Sequence, residues 1–109
     1  MGEEIAARYL RDHGYVLLFW RWRKGSQEID LIAWDRGELV FVEVRTVSPT
    51  TPWNPEESLG EQKKAALLQA IEVFYTENPA YLVLPARIDV VAVRLTHPPE
   101  VQHWADVFR

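Results

Sequence analysis

Residues 3–13 carry apolar side chains at helical spacing. Ala6, Ala7 and Leu10 fall on one stripe, Glu3 falls on the same stripe one turn earlier, and Ile5 and Tyr9 widen its apolar face. The pattern predicts an amphipathic helix that stops at Gly14. The rhythm then changes. Residues 15–22, 28–34 and 38–45 are apolar runs that predict three strands. Lys24-Gly25-Ser26 marks the first turn and Asp35-Arg36-Gly37 the second. Pro49, Pro52 and Pro55 make residues 46–55 an extended loop. Helical spacing returns from Glu61 to about Glu77, with Leu67, Leu68, Ile71, Phe74 and Tyr75 on the predicted buried side and Gly60 as N-cap. Asn78-Pro79 ends that helix. Residues 80–86 are ambiguous and broken by Pro85. Residues 87–95 predict a strong strand, His97-Pro98-Pro99 a turn, and residues 101–108 a short edge strand. The order α-β-β-β-α-β, with that short final strand after it, predicts an α/β fold: a central mixed β-sheet flanked by helices. No repeat or linker divides the 109 residues, so one domain spanning 1–109 is expected.

Charges interrupt the second and third strands at particular places. Strict alternation puts Glu28, Asp30, Ile32 and Trp34 on one face, and Leu39, Phe41, Glu43 and Arg45 on one face of the next strand. A two-residue loop at Arg36-Gly37 pairs Asp35 with Glu38. Counting back pairs Trp34 with Leu39, Ile32 with Phe41, Asp30 with Glu43 and Glu28 with Arg45. Apolar residues then meet apolar ones and charges meet charges, which supports the register. Opposed residues have Cβ atoms ~4.5–5.5 Å apart, and like charges at that range destabilise a sheet. Either one carboxylate takes up a proton or a hard cation binds both. Mg²⁺ suits a site of one or two carboxylates completed by water and phosphate, and such an ion activates water and stabilises phosphate charge. A plain Glu28–Arg45 ion pair, with Asp30 and Glu43 at a wet sheet edge, is the structural alternative.

Composition narrows the setting. Cysteine is absent, which excludes disulfides, zinc–thiolate sites and thiol catalysis and suits a reducing cytoplasm. No run approaches the ~18 apolar residues of a membrane span, and charge at the third residue argues against a signal peptide. The net charge of −4 argues against a nonspecific nucleic-acid coat protein. Local basic sites remain open: Arg21-Trp22-Arg23-Lys24 carries three cations with no acid nearby in sequence, and Trp22 could stack on a base. Lys63 stands in a first helical turn, where a cation is unfavourable. It either touches phosphate or is solvated beside Lys64.

Gly2-Glu3 with Ala6-Ala7-Arg8-Tyr9-Leu10, Gly14-Tyr15, Glu28-Ile29-Asp30-Leu31-Ile32-Ala33 and Phe41-Val42-Glu43-Val44-Arg45-Thr46 together resemble the YraN-like family of small bacterial proteins. Pro55 followed by Lys63, and Arg87-Ile88-Asp89-Val90-Val91-Ala92-Val93, match its later signatures. That family is similar in fold to archaeal Holliday-junction resolvases and the PD-(D/E)xK nucleases. The resemblance implies a restriction-endonuclease-like sheet, Mg²⁺ or Mn²⁺ as cofactor, and hydrolysis of DNA phosphodiester bonds, branched DNA included. It also implies a twofold homodimer. Carried over position by position, the implied catalytic residues are Glu3, Asp30, Glu43 and Arg45, with Asp30 and Glu43 as metal ligands. Arg21, Arg23, Lys24 and Lys63 are the candidate nucleic-acid contacts. Two positions depart from the superfamily pattern: Ile29 replaces the proline before Asp30, and Arg45 stands where lysine is usual. Lysine can lose its proton; arginine effectively cannot.

Three function classes are therefore open: a metal-dependent endonuclease, a nucleic-acid-binding module that has lost the chemistry, and a protein-interaction domain using Trp53 and its proline-rich loop. His13, His97 and His103 lack metal-ligand spacing and read as surface residues. Asp89 shares a face with Val91 and Val93 and is expected to pair with a neighbouring arginine, without a catalytic role.

Overall fold

The computed structural model describes residues 1–50 and 60–107. Helix α1 (Gly2–Asp12) leads into strands β1 (Val16–Lys24), β2 (Gln27–Asp35) and β3 (Glu38–Val47). Helix α2 (Glu61–Glu77) and a 3₁₀ turn (Pro79–Val83) lead to β4 (Ala86–Arg94) and β5 (Glu100–Trp104). The strands lie side by side in sequence order, with β3–β4 parallel and every other pair antiparallel. Parallel neighbours cannot be joined by a tight turn, and α2 lies in the crossover between them. The expected mixed sheet and element order hold, including the short final strand, which ends at Trp104. Phe108 and most of the proline-rich loop, Trp53 and Pro55 among them, lie outside the described residues.

Each helix covers one face of the sheet. On one face, Ala6, Ala7 and Leu10 of α1 are fully buried against Leu31, Ala33, Val40, Val42, Val91 and Val93. The small residues let the helix approach closely. Gly2 lies so near β3 that an added Cβ would collide with the Thr46 side chain. On the other face, Leu67, Ala70 and Phe74 of α2 pack on Ile29, Ile32, Leu39 and Phe41. Phe74 meets Phe19, Trp22 and Phe41 edge to face, with ring centroids 5.3, 5.4 and 5.6 Å away. Leu68, expected on the buried side, is 45% exposed. It stands one residue off the stripe through Leu67, Ala70 and Phe74, and the small Ala70 fills the position under the helix.

The hairpin turn is as counted. Arg36 (φ 50°) and Gly37 (φ 86°) both have positive φ, the geometry that matches strand twist in a two-residue loop. Asp35–Glu38, Trp34–Leu39 and Ile32–Phe41 are partners. The β2–β3 ladder nevertheless ends at Leu31–Val42, while β2 stays paired with β1 as far as Lys24–Gln27. Alternation breaks at this fork. Phe19 and Trp22 pack into one cluster, and so do Ile32 and Ile29, although residues three apart in a regular strand face opposite ways. Arg21, at φ 51°, and Asp30 are the residues in the break, between the pairs Trp20–Leu31 and Trp22–Ile29. The single face assigned to Glu28, Asp30, Ile32 and Trp34 therefore does not run through Asp30. Glu28 lies opposite Arg23 of β1 rather than in a ladder with Arg45.

Candidate functional site

Below the fork, the Val44 N–H would meet a main-chain carbonyl if the ladder continued. It donates instead to Asp30 Oδ2 at 2.8 Å. The Asp30 carboxylate thus stands in for a missing ladder acceptor, in the gap between β2 and β3. Glu43 follows Phe41 by two residues on β3 and is buried, close enough to Asp30 for the two charges to act on each other. The two carboxyls expected to oppose each other do meet, through side chains across a fork rather than as a ladder pair.

Burial pushes the Glu43 carboxyl up to about 7, the Asp30 charge pushes it the same way, and Lys63 pulls it back. Burial also raises Asp30, opposed by the Val44 hydrogen bond and assisted by the charges of Glu3 and Glu28. Both carboxyls are thus held above the usual carboxylate range, chiefly by burial. This is the ordinary response of two acids forced together away from water.

The groove over this pair has a volume of about 250 Å³ and is lined by Glu28, Asp30, Glu43, Lys63 and Leu67, among others. Lys63 enters from the first turn of α2, its Nζ 3.4 Å from Glu43 Oε1. Glu3 comes from α1, on the opposite face. Its carboxylate binds Arg21 Nη2 at 2.7 Å, and its charge is felt at Asp30. The basic run does meet acids in space. Arg21 pairs with Glu3, Arg23 lies 3.6 Å from Glu28, and Lys24 lies 3.3 Å from Glu77. Arg45 lies two residues beyond Glu43 on β3.

These residues suit a hard divalent ion. The donors are carboxylate oxygens, ionisation of Glu43 is opposed by its surroundings, and the groove leaves room for water and a phosphate. Among the described residues no group of three His, Cys, Asp or Glu converges closely enough to hold a metal by itself. A two-carboxylate site completed by other oxygens is the arrangement Mg²⁺ prefers and Mn²⁺ accepts. Glu3 belongs to the surrounding field of charge rather than to a three-ligand cluster.

A second polar cluster went unread in the sequence. Asp89 is fully buried. It accepts hydrogen bonds from Arg87 Nε at 3.0 Å, Tyr15 Oη at 3.2 Å, His103 Nε2 at 2.8 Å and the Asp106 N–H at 2.9 Å. Burial alone would raise its carboxyl; the bonds from His103, Arg87 and Asp106 outweigh that and hold it below the usual range. Arg87 also reaches Asp35 at 2.9 Å and Glu38 at 2.8 Å, so it ties β4 to the hairpin turn. Burial and the Asp89 charge push the Tyr15 phenol up to about 12. Pairing of Asp89 with an arginine was expected; a surface position for His103 was not correct, since its side chain is 12% exposed. The missed signal is the alternation of β5, which turns Val101 and His103 inward together.

The model of the uncharacterised protein family UPF0102 matches residues 2–93. The chain is 41% identical over 92 residues to a UPF0102 protein of Roseiflexus castenholzii, a match covering 84% of this chain and 74% of that relative. A UPF0102 protein of Carboxydothermus hydrogenoformans is likewise 41% identical, over 84% of this chain and 76% of its own. One from Solibacter usitatus is 36% identical over 99% of this chain and 83% of its own.

Proposed function

The chain belongs to the uncharacterised protein family UPF0102, the family its YraN-like motifs indicated, and on that premise we propose that it is a metal-dependent endonuclease-like protein acting on DNA. The observation that carries the reading is the acid pair Asp30–Glu43 in the gap between β2 and β3, lining a groove with Lys63. Two acids held this way are costly for the fold, and a site that binds a cation and a phosphate gives them a purpose.

Asp30 and Glu43 hold Mg²⁺ or Mn²⁺. The bound ion supplies charge neutralisation at a phosphate and acidity to water. Val44 fixes the Asp30 carboxylate through its N–H. Arg45, an arginine where a lysine could serve as a base, stabilises negative charge on the phosphate. Glu3 orients Arg21 through their 2.7 Å contact. Lys63 lines the groove and is suited to a phosphate there, and Arg21, Arg23 and Lys24 are the further candidate contacts to flanking phosphates. Branched DNA as substrate, and a twofold dimer, rest on fold-level likeness to junction resolvases.

Arg45 favours a second reading, a module that binds nucleic acid without cutting it. Incubating linear and four-way-junction DNA with Mn²⁺ or EDTA, beside Asp30→Asn, separates the two. Cleavage that needs Mn²⁺ and vanishes in Asp30→Asn supports the first reading. Binding without cleavage moves the protein to the second, and cleavage that survives both EDTA and Asp30→Asn sinks the metal mechanism.

A further inference from the structure

Resting on that reading, we propose that Lys63 is an exchangeable counterion: it holds the Glu43 carboxylate until a divalent ion takes it, and then passes to a phosphate of the nucleic acid in the same groove. The contact has the form of a placeholder. Its 3.4 Å separation is longer than the ~2.7–2.9 Å of a charge-assisted hydrogen bond. The two partners are unequally held. Glu43 is 10% exposed and fixed in the sheet, whereas Lys63 is 54% exposed at the end of a flexible stem. Its place in the first turn of α2 offers a cation no help from the helix dipole.

The neighbouring cations are bound differently. Arg21, Arg23 and Lys24 are paired with Glu3, Glu28 and Glu77, none of which is a proposed ligand of the ion. The acid paired with Lys63 is a proposed ligand of the ion, so two cations compete for it. A divalent ion at Glu43 replaces the attraction on the ammonium with repulsion. The four-carbon stem lets the ammonium swing away, and a phosphate entering the groove gives it a new partner. Ion and phosphate then assist each other's binding through one side chain, and the coupling is reciprocal.

The test is Mn²⁺ affinity, read by the electron paramagnetic resonance of the free ion. It is measured on wild type, Lys63→Gln and Lys64→Gln, with and without a short duplex bearing a hydrolysis-resistant phosphorothioate backbone. Lys64→Gln removes the same charge from the same helix and controls for long-range effects. Without DNA, Lys63→Gln is expected to bind Mn²⁺ about two- to fivefold tighter than wild type, and Lys64→Gln to match wild type. DNA is expected to tighten Mn²⁺ binding about fivefold or more in wild type and Lys64→Gln, and by clearly less in Lys63→Gln. Equal or weaker Mn²⁺ binding by Lys63→Gln, or an undiminished gain from DNA, overturns the exchange while leaving the nuclease-type reading in place. Absence of Mn²⁺ binding by wild type overturns both.

Discussion

Glu43 is the residue on which the site's energetics turn. Its folded carboxyl lies at about 7 against an ordinary 4.5, so the native chain binds an extra proton between those values. The sign follows: stability from this group is fully present below 4.5 and is lost as pH rises through about 7, with ~3 kcal/mol as an upper bound. Glu43→Gln, which keeps the shape and drops the charge, is expected to raise Tm at pH 8 and to change it little near pH 5, as measured by scanning calorimetry. Asp89 behaves oppositely. Its depressed carboxyl contributes stability above the usual carboxylate range and loses it as pH falls through that range. Asp89→Asn leaves the Arg87 charge without one of its three acids, and is expected to cost ~3 kcal/mol in urea unfolding at pH 7. Asp30 and Glu43 were legible because a short turn fixes which residues oppose across a hairpin. The acids that pair with Arg21 and Lys24 were not, because Glu3 and Glu77 arrive on helices and sequence distance hides them.

At the scale of elements, the turn and the fork pull the hairpin in different directions. The turn is regular but carries Arg36 in the left-handed region, where a residue such as asparagine is at ease. Arg36→Asn is expected to stabilise the hairpin by ~0.5–1 kcal/mol in thermal melts. The boundaries of β1 to β4 were readable to within one or two residues from apolar runs and turn residues, whereas β5 ends at Trp104, short of the expected end. The fork was not. The breaks at Arg21 and Asp30 fall at the same level and compensate, and the bulge at Leu18 adds one residue to β1 alone, yet each strand still reads as an apolar run with charges at plausible positions. The positive φ of Arg21 has no mark in the sequence, since arginine does not announce such a conformation as glycine does. A clean alternation therefore put Glu28 opposite Arg45, and the real chain sets it opposite Arg23.

Over the whole molecule, the acidic balance leaves few cations for the groove. The net charge is −4, and Lys63 is the cation that lines the groove over Asp30 and Glu43, while Arg21, Arg23 and Lys24 pair with Glu3, Glu28 and Glu77. Among the described residues no helix is long and apolar enough to cross a membrane. A divalent ion that binds only the folded chain adds ~2.7 kcal/mol at a hundredfold excess over its Kd, which on a chain of this size raises Tm by roughly 10 °C. Differential scanning fluorimetry with Mn²⁺ is expected to show such a rise at pH 8, a smaller one near pH 5 where Glu43 holds its proton, and none in Asp30→Asn. The region matched by the family model stops at residue 93, yet His103 and Asp106 beyond it bind Asp89 from β5 and the turn that follows. The family motifs thus mark the hairpin more clearly than they mark what braces the far side of the sheet.

The Val44 amide offers a window on all of this. Its proton rests on a carboxylate instead of a peptide oxygen, so its resonance frequency follows the charge on Asp30 directly. In a ¹⁵N-edited spectrum that one cross-peak should move when Mg²⁺ is titrated in, and again when the pH crosses the range in which Glu43 gives up its proton. The amides of Val40 and Val42, in the closed part of the ladder, should stay nearly still. A Val44 peak that ignores both titrations would mean the carboxylate is not where the ion goes. The gap in the ladder thereby gives the protein a built-in probe, readable without substrate and without knowing what the substrate is.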